Sequence, residues 1–383
     1  MIIGLVGKTN AGKTTFFSAA TLVNAEISNR TFTTIKPNMG VGFVSKKCPC
    51  NNGICGNCKN GVRHVPIKII DVAGLVPEAH TGKGMGNQFL ADTMMADGII
   101  HVIDLSGSTD KNGNICAPGM HNPEEDIRWV EDEIVYWMTS LVNKIDKKRI
   151  ESKNEKLEDA ISRQFSGLGI TKDHVIETLN NSPLDIISQE SVHEFCRLLL
   201  KNSKQIIIAG NKIDIQTAEK IYENLKDEYG VVPCSADSEL ALRRAAEKNI
   251  IKYTDTIEII SAKDGTTTVS EQQKKAFEKI SAIIKKYGST GVQQCIEKLV
   301  FEKMKMIVVY PVENEHKLTD GKGRVLPDAF LMKSGSTAID LAYMVHEDIG
   351  EKFIAAIDVK AKMRIGADHE LKDGDIISIK AGR

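Results

Sequence analysis

The sequence lacks the features that would place the chain in a membrane or an export pathway. No run of apolar residues approaches the roughly 20 that span a bilayer. A strand-like apolar segment begins at Ile2, which leaves no room for a secretory signal peptide before it. We therefore expect a cytoplasmic protein that makes no membrane contact.

The chain also lacks an excess of charge of either sign. Its 50 Lys and Arg residues against 51 Asp and Glu residues give a formal net charge of −1. Contact with nucleic acid would therefore need a local basic patch, and we expect no DNA sequence specificity. At 383 residues, 42% of them hydrophobic, the chain has room for two or three globular domains.

A phosphate-binding motif follows the first apolar segment directly. Residues 7–14 read G-x-x-x-x-G-K-T between a strand-like and a helix-like segment. Such a loop turns backbone N–H groups inward, and the dipole of the next helix favours bound phosphate. Lys13 is expected to reach the β- and γ-phosphates, and Thr14 is expected to bind Mg²⁺. The phosphate-binding residues predicted here are Asn10, Ala11, Gly12, Lys13, Thr14 and Thr15.

Two further segments are typical of a nucleotide switch. The Thr-rich stretch 30–40 can bring a hydroxyl to Mg²⁺ and the γ-phosphate, with Thr34 as the predicted residue and Thr33 as the alternative. A later strand ends in D-x-x-G, so Asp71 is expected to hold Mg²⁺ through water. The N–H of Gly74 is expected to bond the γ-phosphate.

The residue that usually orients the attacking water is missing. Leu75 stands where Ras-type GTPases carry a glutamine. His80 lies in the same Gly-rich stretch and is a weaker catalytic candidate, since a lone loop histidine is more often solvated. The catalytic set predicted from the motifs is therefore Lys13, Thr34 and Gly74.

Two copies of N-K-x-D occur, and their surroundings distinguish them. Residues 143–146 lie on a helical pattern with apolar residues at 3.6 spacing, so we reject this copy as a base-binding loop. Residues 211–214 follow the apolar strand 205–210, as such a loop requires. The Asp214 carboxylate can accept from guanine N1–H and the 2-amino group together, which adenine does not offer.

The remaining base-binding residues surround that second copy. The Lys212 stem can lie over the base plane, and Asn211 can brace the loop. A further strand leads into Ser235 and Ala236, where the Ala236 N–H is predicted to meet guanine O6. Because the motifs occur in order, each at the end of a strand, they favour a GTP/GDP site over a chance match.

Four of the eight cysteines are concentrated in one short stretch, with the spacing C-x-C-x₄-C-x₂-C. They are Cys48, Cys50, Cys55 and Cys58. Four thiolates on tight Gly and Asn turns can close a tetrahedron around Zn²⁺, which would stabilise a loop that has no core of its own. A redox-sensitive thiol cluster, an iron–sulfur site or no ligand remain the alternatives.

Together these motifs resemble the Obg-like GTPases, and among them the YchF subfamily. The final part, with strand, turn and helix signals after residue 305, resembles a TGS domain, a ubiquitin-like β-grasp module. The match covers nearly the whole chain, and the cysteine insert is similar to one in archaeal relatives. The resemblance rests on residues 10–14, 33–38, 71–76, 84–90, 309–312, 326–329 and 372–375.

The resemblance implies an α/β fold: a Ras-like P-loop G domain with a mostly parallel sheet and helices on both faces, a helical insertion and a C-terminal β-grasp domain. The expected domains are a first G-domain part (1–121, with a Cys-rich insert at 46–62), a helical insertion (122–203), a second G-domain part with trailing helices (204–304) and a TGS-like domain (305–383).

The resemblance also implies a role at the ribosome or on RNA, through the TGS and helical domains, or in stress physiology. A basic strip could assist contact with RNA; it comprises Lys360, Lys362 and Arg364. The phosphate loop resembles those of potassium-activated GTPases, in which the residue at Asn10 helps to hold K⁺. The alternative is that Asn10 only caps the loop.

A slow GTPase that acts as a switch is therefore the leading functional prediction. Many YchF proteins have a degraded guanine motif and use ATP, but residues 211–214 are intact, so ATP preference is not carried over. An ATP-hydrolysing stress or redox regulator of the bacterial YchF type is the first alternative. A nucleotide-stabilised adaptor with incidental hydrolysis is the second.

Overall fold

The computed structural model describes most of the chain, in ten segments. They are residues 1–21, 38–50, 55–59, 61–72, 74, 78–82, 86–146, 155–253, 257–259 and 269–382. Contacts divide the chain into a first unit, Met1–Gly42 with Lys68–Leu299, and a second unit, Phe43–Ile67 with Val300–Arg383. No helix in these segments is both long and apolar enough to cross a membrane.

The main sheet contains seven strands within the described residues. They are β1 (Ile2–Val6), β2 (Met39–Lys47), β3 (Cys58–Lys59), β4 (Val62–Asp71), β5 (Gly98–Asp104), β6 (Gln205–Asn211) and β7 (Val232–Pro233). Their order is β2-β4-β1-β5-β6-β7, with β3 beside β4. The pairs β1–β4, β1–β5, β5–β6 and β6–β7 are parallel, and β3–β4 is antiparallel. Every residue of β5 is buried, as expected for a parallel strand covered on both faces. The predicted α/β sheet is confirmed.

The helices of the first unit follow the strands in the order that the sequence predicts. They are α1 (Lys13–Thr21), a 3₁₀ helix (Ala79–Thr81), α2 (Gly86–Met94), α3 (Pro123–Asn143), α4 (Leu157–Gln164), α5 (Lys172–Asn181), α6 (Gln189–Ser203), α7 (Ala218–Tyr229), α8 (Ala236–Glu247), α9 (Glu271–Tyr287) and α10 (Val292–Glu297), before a π-helical turn (Lys298–Lys303). A short antiparallel pair of strands, β8 (Ile251–Tyr253) and β9 (Ile257–Ile259), lies in the part of the chain where the sequence predicts trailing helices. Three-residue strands are too short to give a period-2 signal, so the sequence did not reveal it.

Helices α3 to α6 form the helical region, and α3 is its longest member. Asn122 accepts from the Glu124 N–H at its start, and Pro123 occupies the first turn, where a missing N–H costs nothing. The apolar stripe predicted for this helix faces the core: Ile127, Val130, Ile134, Trp137, Met138 and Ile145 are buried, and Leu141 is partly buried. The rejected N-K-x-D copy starts at Asn143, the last residue of α3, and follows no strand.

The C-terminal part of the second unit is a five-stranded sheet crossed by one main helix. Its elements are β10 (Met306–Val312), β11 (Phe330–Lys333), α11 (Ala338–Val345), α12 (Glu347–Glu351), β12 (Phe353–Asp358), β13 (Met363–Ile365) and β14 (Ile376–Ala381). The strand order is β11-β10-β14-β12-β13. Thr337 caps α11, with the Asp340 side chain accepting from the Thr337 N–H, and Ala338, Leu341 and Ala342 of this helix are buried. The β-grasp prediction is confirmed.

The cysteine insert belongs to the second unit, whereas the sequence assigned residues 46–62 to the G domain. Arg63, only 5% exposed, donates to the carbonyl oxygens of Leu326 (3.0 Å) and Pro327 (2.8 Å). Asn57, inside the insert, also points its amide at the Leu326 carbonyl (3.4 Å). These partners lie more than 260 residues apart, at 263 and 269 positions, so no local pattern could reveal the grouping.

Candidate functional site

The phosphate loop connects β1 to α1 and is held tightly against neighbouring strands. Gly7 has φ of 141°, and a Cβ there would lie 2.2 Å from the Val102 carbonyl oxygen of β5. Gly12 has φ of 96°, and a Cβ there would lie 2.1 Å from the Asn211 amide nitrogen. Only glycine fits either position, because both the backbone conformation and the space exclude a side chain. Ala11 is buried and Thr15 lies in the first turn of α1, where helical N–H groups lack intrahelical partners.

The two described residues predicted to hold Mg²⁺ are in direct contact. The Thr14 hydroxyl donates to Asp71 Oδ2 at 2.9 Å, which joins the start of α1 to the end of β4. Hydroxyl and carboxylate oxygens are ligands that Mg²⁺ prefers, so the pair fits the predicted ion. Gly74 lies beside the same loop, since a Cβ there would be 2.7 Å from the Thr9 hydroxyl.

Lys13 is buried in the phosphate loop. Its ammonium group donates to the Lys8 carbonyl oxygen at 2.9 Å. Burial lowers the pKa of Lys13 to about 8, while the Asp71 charge acts in the opposite direction. A bound phosphate would favour the charged form further, so this lysine is suited to an anionic ligand.

The predicted base-binding residues converge at the carboxyl ends of β6 and β7. The Asn211 amide donates to the Ala11 carbonyl at 2.9 Å and so braces the phosphate loop. Its Oδ1 accepts from the Ala236 N–H at 3.0 Å, so a bond from that N–H to guanine O6 would have to replace or share this contact. The Ser235 hydroxyl donates to Asp214 Oδ1 at 2.7 Å and orients an otherwise exposed carboxylate.

A buried carboxylate that the sequence analysis missed holds Lys212. Asp104, fully buried at the end of β5, accepts from Lys212 Nζ at 2.8 Å. Burial raises the pKa of Asp104, but bonds from Lys212 and Ser106 outweigh it, so the pKa falls below its usual value. The signal that could have revealed it is an aspartate at the end of an apolar strand, the position also taken by Asp71.

The loop of residues 106–121 braces the phosphate loop from a second side. Buried Lys8 donates to the Thr109 carbonyl and pairs with Asp126, both at 2.7 Å. The Asn10 amide nitrogen donates to the Gly113 carbonyl at 2.9 Å. Since a carbonyl only accepts, this bond fixes the amide nitrogen of Asn10 on Gly113 and turns its oxygen the other way.

Other predicted switch residues lie outside the described residues: Thr33, Thr34 and Leu75. His80 is described, and its imidazole is directed onto helix α3. The ring Nδ1 lies 2.7 Å from Glu133 Oε2, and the ring contacts the Tyr136 ring in a tilted arrangement with centroids 5.0 Å apart. His80 thus has a structural role on helix α3, besides the catalytic role that the sequence analysis considered for it.

The four clustered cysteines come together in the second unit. Their sulfur atoms all lie within 4.8 Å of one another, with Cys48–Cys55 at 3.8 Å and Cys50–Cys58 at 3.5 Å. Tetrahedral Zn–S bonds of about 2.3 Å require sulfur atoms about 3.8 Å apart. The donor set and spacing therefore fit a closed four-thiolate Zn²⁺ site that leaves no open coordination position.

Three exposed basic side chains follow one another along the hairpin that joins β12 to β13. They are Lys360, Lys362 and Arg364. Strand β13 is an edge strand of the second unit's sheet, so this strip borders a free sheet edge within the described residues.

Comparison with family models identifies three segments. A model described as a 50S ribosome-binding GTPase matches residues 2–144. The G4 motif-containing domain of YGR210-like, Obg-like GTPases matches residues 209–314. A TGS domain model matches residues 319–381.

Relatives extend over the full chain. The uncharacterised GTP-binding protein MJ1332 of Methanocaldococcus jannaschii is 48% identical over 393 residues, covering 99% of this chain and 98% of that protein. The crystal structure of a GTP-binding protein from Pyrococcus horikoshii OT3 has 35% identity and a TM-score of 0.75, with 100% of both chains covered. The ribosome-binding ATPase YchF of Buchnera aphidicola is 26% identical over 400 residues, covering 98% and 97%.

Proposed function

Because the chain belongs to the Obg-like GTPases of the YGR210/MJ1332 type, relatives of YchF with a C-terminal TGS domain, we propose that it is a GTP-binding switch that hydrolyses GTP slowly. The observation that carries the proposal is the convergence of the guanine motif on the phosphate loop. Asn211 bonds Ala11, and Ser235 orients the Asp214 carboxylate. A carboxylate held in this way selects guanine through two donors that adenine lacks.

Each described motif residue has a defined task in this proposal. Lys13 and the N–H groups at the start of α1 neutralise and bind the phosphates. Thr14 and Asp71 would hold Mg²⁺, which supplies charge neutralisation at the transferring phosphate. The Gly74 N–H would bond the γ-phosphate, and Thr34, which lies outside the described residues, would complete the Mg²⁺ site.

Slow hydrolysis follows from the missing water-orienting group. Leu75 can neither donate a hydrogen bond to water nor accept one, so another group must place the nucleophile and neutralise the developing charge. The orientation of Asn10, with its nitrogen on Gly113, supports K⁺ as that group, because the amide oxygen is left to bind a cation. A partner protein or RNA could supply the remaining acceleration.

We further propose that nucleotide state controls binding to a ribosomal or RNA partner. The family model that matches residues 2–144 describes ribosome-binding GTPases, and the Buchnera relative is named as a ribosome-binding ATPase. The exposed strip of Lys360, Lys362 and Arg364 supplies the local positive charge that a near-neutral chain needs for RNA.

The four-cysteine cluster is proposed to hold one structural Zn²⁺. Four thiolates fill a tetrahedral ion, so the metal would support the fold and take no part in hydrolysis. Its place beside Arg63 and Asn57 lets it stabilise the segment of the second unit around Leu326.

The ATPase name of the Buchnera relative makes ATP hydrolysis, in a stress or redox regulator, the second candidate. Turnover of GTP and ATP, measured in parallel with Mg²⁺ and with Lys13→Ala as the inactive control, distinguishes the two. Faster ATP turnover at equal concentration would contradict the proposal.

Co-sedimentation with ribosomes under GTP, GDP and no nucleotide tests the switch. Binding that depends on GTP is the expected result, and salt should weaken it. Equal binding in all three states, retained by Lys13→Ala, would instead favour a nucleotide-stabilised adaptor.

A further inference from the structure

Helix α3 carries a buried carboxylate, Glu133, that the nucleotide site does not use. The residue is 4% exposed, and its two oxygens accept four hydrogen bonds. Oε1 accepts from the Glu78 N–H (2.8 Å) and the Trp129 indole (3.2 Å). Oε2 accepts from the His80 N–H (2.9 Å) and the His80 ring (2.7 Å). Four donors fill the lone-pair directions of a carboxylate, so the group is fully satisfied in this arrangement.

Three of those four donors belong to one short segment, residues 78–82, which follows the D-x-x-G motif. Two of them are backbone N–H groups at the start of the 3₁₀ helix Ala79–Thr81, so Glu133 caps this helix from another element. Ala79 is buried, and a Cβ on Gly86 would lie 2.2 Å from the Ala79 carbonyl, so the segment also packs closely against α2.

The segment is tied to the nucleotide site by a short length of chain. Gly74 lies against Thr9 of the phosphate loop, and Glu78 is four residues further on. Four residues span at most about 14 Å when fully extended. Glu78 therefore lies within about 14 Å of the residue whose N–H is expected to bond the γ-phosphate.

Three aromatic rings in successive contact, here called the His80–Tyr136–His193 column, continue from this segment across the helical region, each tilted against the next. The His80 ring lies 5.0 Å from Tyr136 of α3, and Tyr136 lies 4.7 Å from His193 of α6. Arg197, also on α6, lies 3.3 Å from His193 Nε2 and pairs with Asp132 of α3 at 2.9 Å. One continuous set of contacts thus joins residues 78–82 to helix α6.

We propose that Glu133 is a positioning residue that couples nucleotide state to the helical region: it holds residues 78–82 on α3, and the His80–Tyr136–His193 column passes their displacement to α6. The proposal rests on the GTP switch proposed above. It assigns the helical region a part in the nucleotide response, with α6 as the surface that changes.

Hydrogen exchange of the full-length protein tests this coupling. Exchange is compared between Mg²⁺ with a non-hydrolysable GTP analogue and Mg²⁺ with GDP, in peptides from residues 78–82 and from α6. Glu133→Gln is the main variant, because an amide nitrogen cannot accept the N–H groups that one carboxylate oxygen now accepts. Glu125→Gln, an exposed acid on the same helix, is the matched control.

The unmodified protein and Glu125→Gln should show a difference between the two nucleotides in both regions. Glu133→Gln should lose that difference in α6 while binding GDP with unchanged affinity, which a purely structural role would not produce. Tyr136→Ala changes a half-exposed ring and keeps the test valid if Glu133→Gln fails to fold. In Tyr136→Ala, the exchange difference between the two nucleotides should be lost in α6 and kept in residues 78–82.

Three results would overturn the coupling. The first is a nucleotide-dependent exchange difference in α6 that survives in Glu133→Gln, and the second is the same difference surviving in Tyr136→Ala. The third is an unmodified protein whose exchange responds to nucleotide at residues 78–82 but not in α6. In each case GTP binding and turnover by the unmodified protein would leave the proposed function standing. Failure to bind GTP at all would instead reject the proposed function, and the coupling with it.

Discussion

Replacing Asp214 by Asn is the most informative single change at the base site. The Ser235 hydroxyl donates to Asp214 Oδ1 at 2.7 Å. In Asp214→Asn the amide oxygen keeps this bond, so the amide nitrogen takes the place of Oδ2. The guanine donor that faced Oδ2 would then face a donor, and the other guanine donor would face a neutral amide oxygen instead of a charged carboxylate.

The expected loss follows from the two bonds to the base. A hydrogen bond to a charged group contributes about 1.5–3 kcal/mol. Because the Asp214 side chain is exposed, the lower value is appropriate, which gives about 3 kcal/mol for the pair. That free energy corresponds to a loss of GDP or GTP affinity of about 150-fold. Xanthine nucleotides carry a carbonyl in place of the 2-amino group, so the variant should bind them better than the unmodified protein does.

The assay is equilibrium titration with fluorescent GDP, followed by competition with GTP and xanthosine triphosphate. Asp227→Asn, an exposed aspartate on α7, makes the same chemical change away from the base and should leave affinity unaltered. If Asp214→Asn binds GTP as tightly as the unmodified protein, or loses xanthine and guanine nucleotides equally, Asp214 does not read the base.

Three other predictions concern the metal, the second unit and the cation. Protein purified without chelator should contain about one zinc per chain, and Cys58→Ser should lower that content; a folded, metal-free preparation with four titratable thiols would reject the site. Arg63→Ala removes two bonds from a buried guanidinium and should destabilise the second unit by about 3 kcal/mol, read as a lower melting temperature; an unchanged melt would contradict the role given to Arg63. GTP turnover should be faster in K⁺ than in matched Na⁺ buffer, and Asn10→Ala should remove the difference; equal rates in both salts for the unmodified protein would exclude K⁺ as the activating group.

Residues whose position depends on local order could be predicted from the sequence. Asp71 and Asn211 end their strands, and Lys13 begins α1 directly after the loop that follows β1; parallel strands bring their carboxyl ends to one edge of the sheet. That rule alone predicts that Thr14 and Asp71 come together, 57 positions apart in the chain. The stripe on α3 was predicted for a similar reason, since it depends on spacings of three or four residues.

Residues whose role depends on distant partners could not be predicted. Glu133 reads as one acid on an amphipathic helix, and its partners in residues 78–82 lie more than 50 positions away. Arg63 reads as a surface charge on a strand, although it bonds two carbonyl groups near the other end of the chain. Asp104 sits at the end of a strand, but only the fold shows that Lys212 is its partner. In each case packing, which no short motif encodes, buries the charged group.

The central claim, that the chain is a guanine-nucleotide switch, is tested most directly by competition between GTP and ATP for the unmodified protein with Mg²⁺. The Asp214 carboxylate offers two bonds to guanine and none to adenine, so GTP should displace a bound fluorescent nucleotide at a concentration at least about 100-fold lower than ATP does. ATP that competes as well as GTP, or better, would contradict the account.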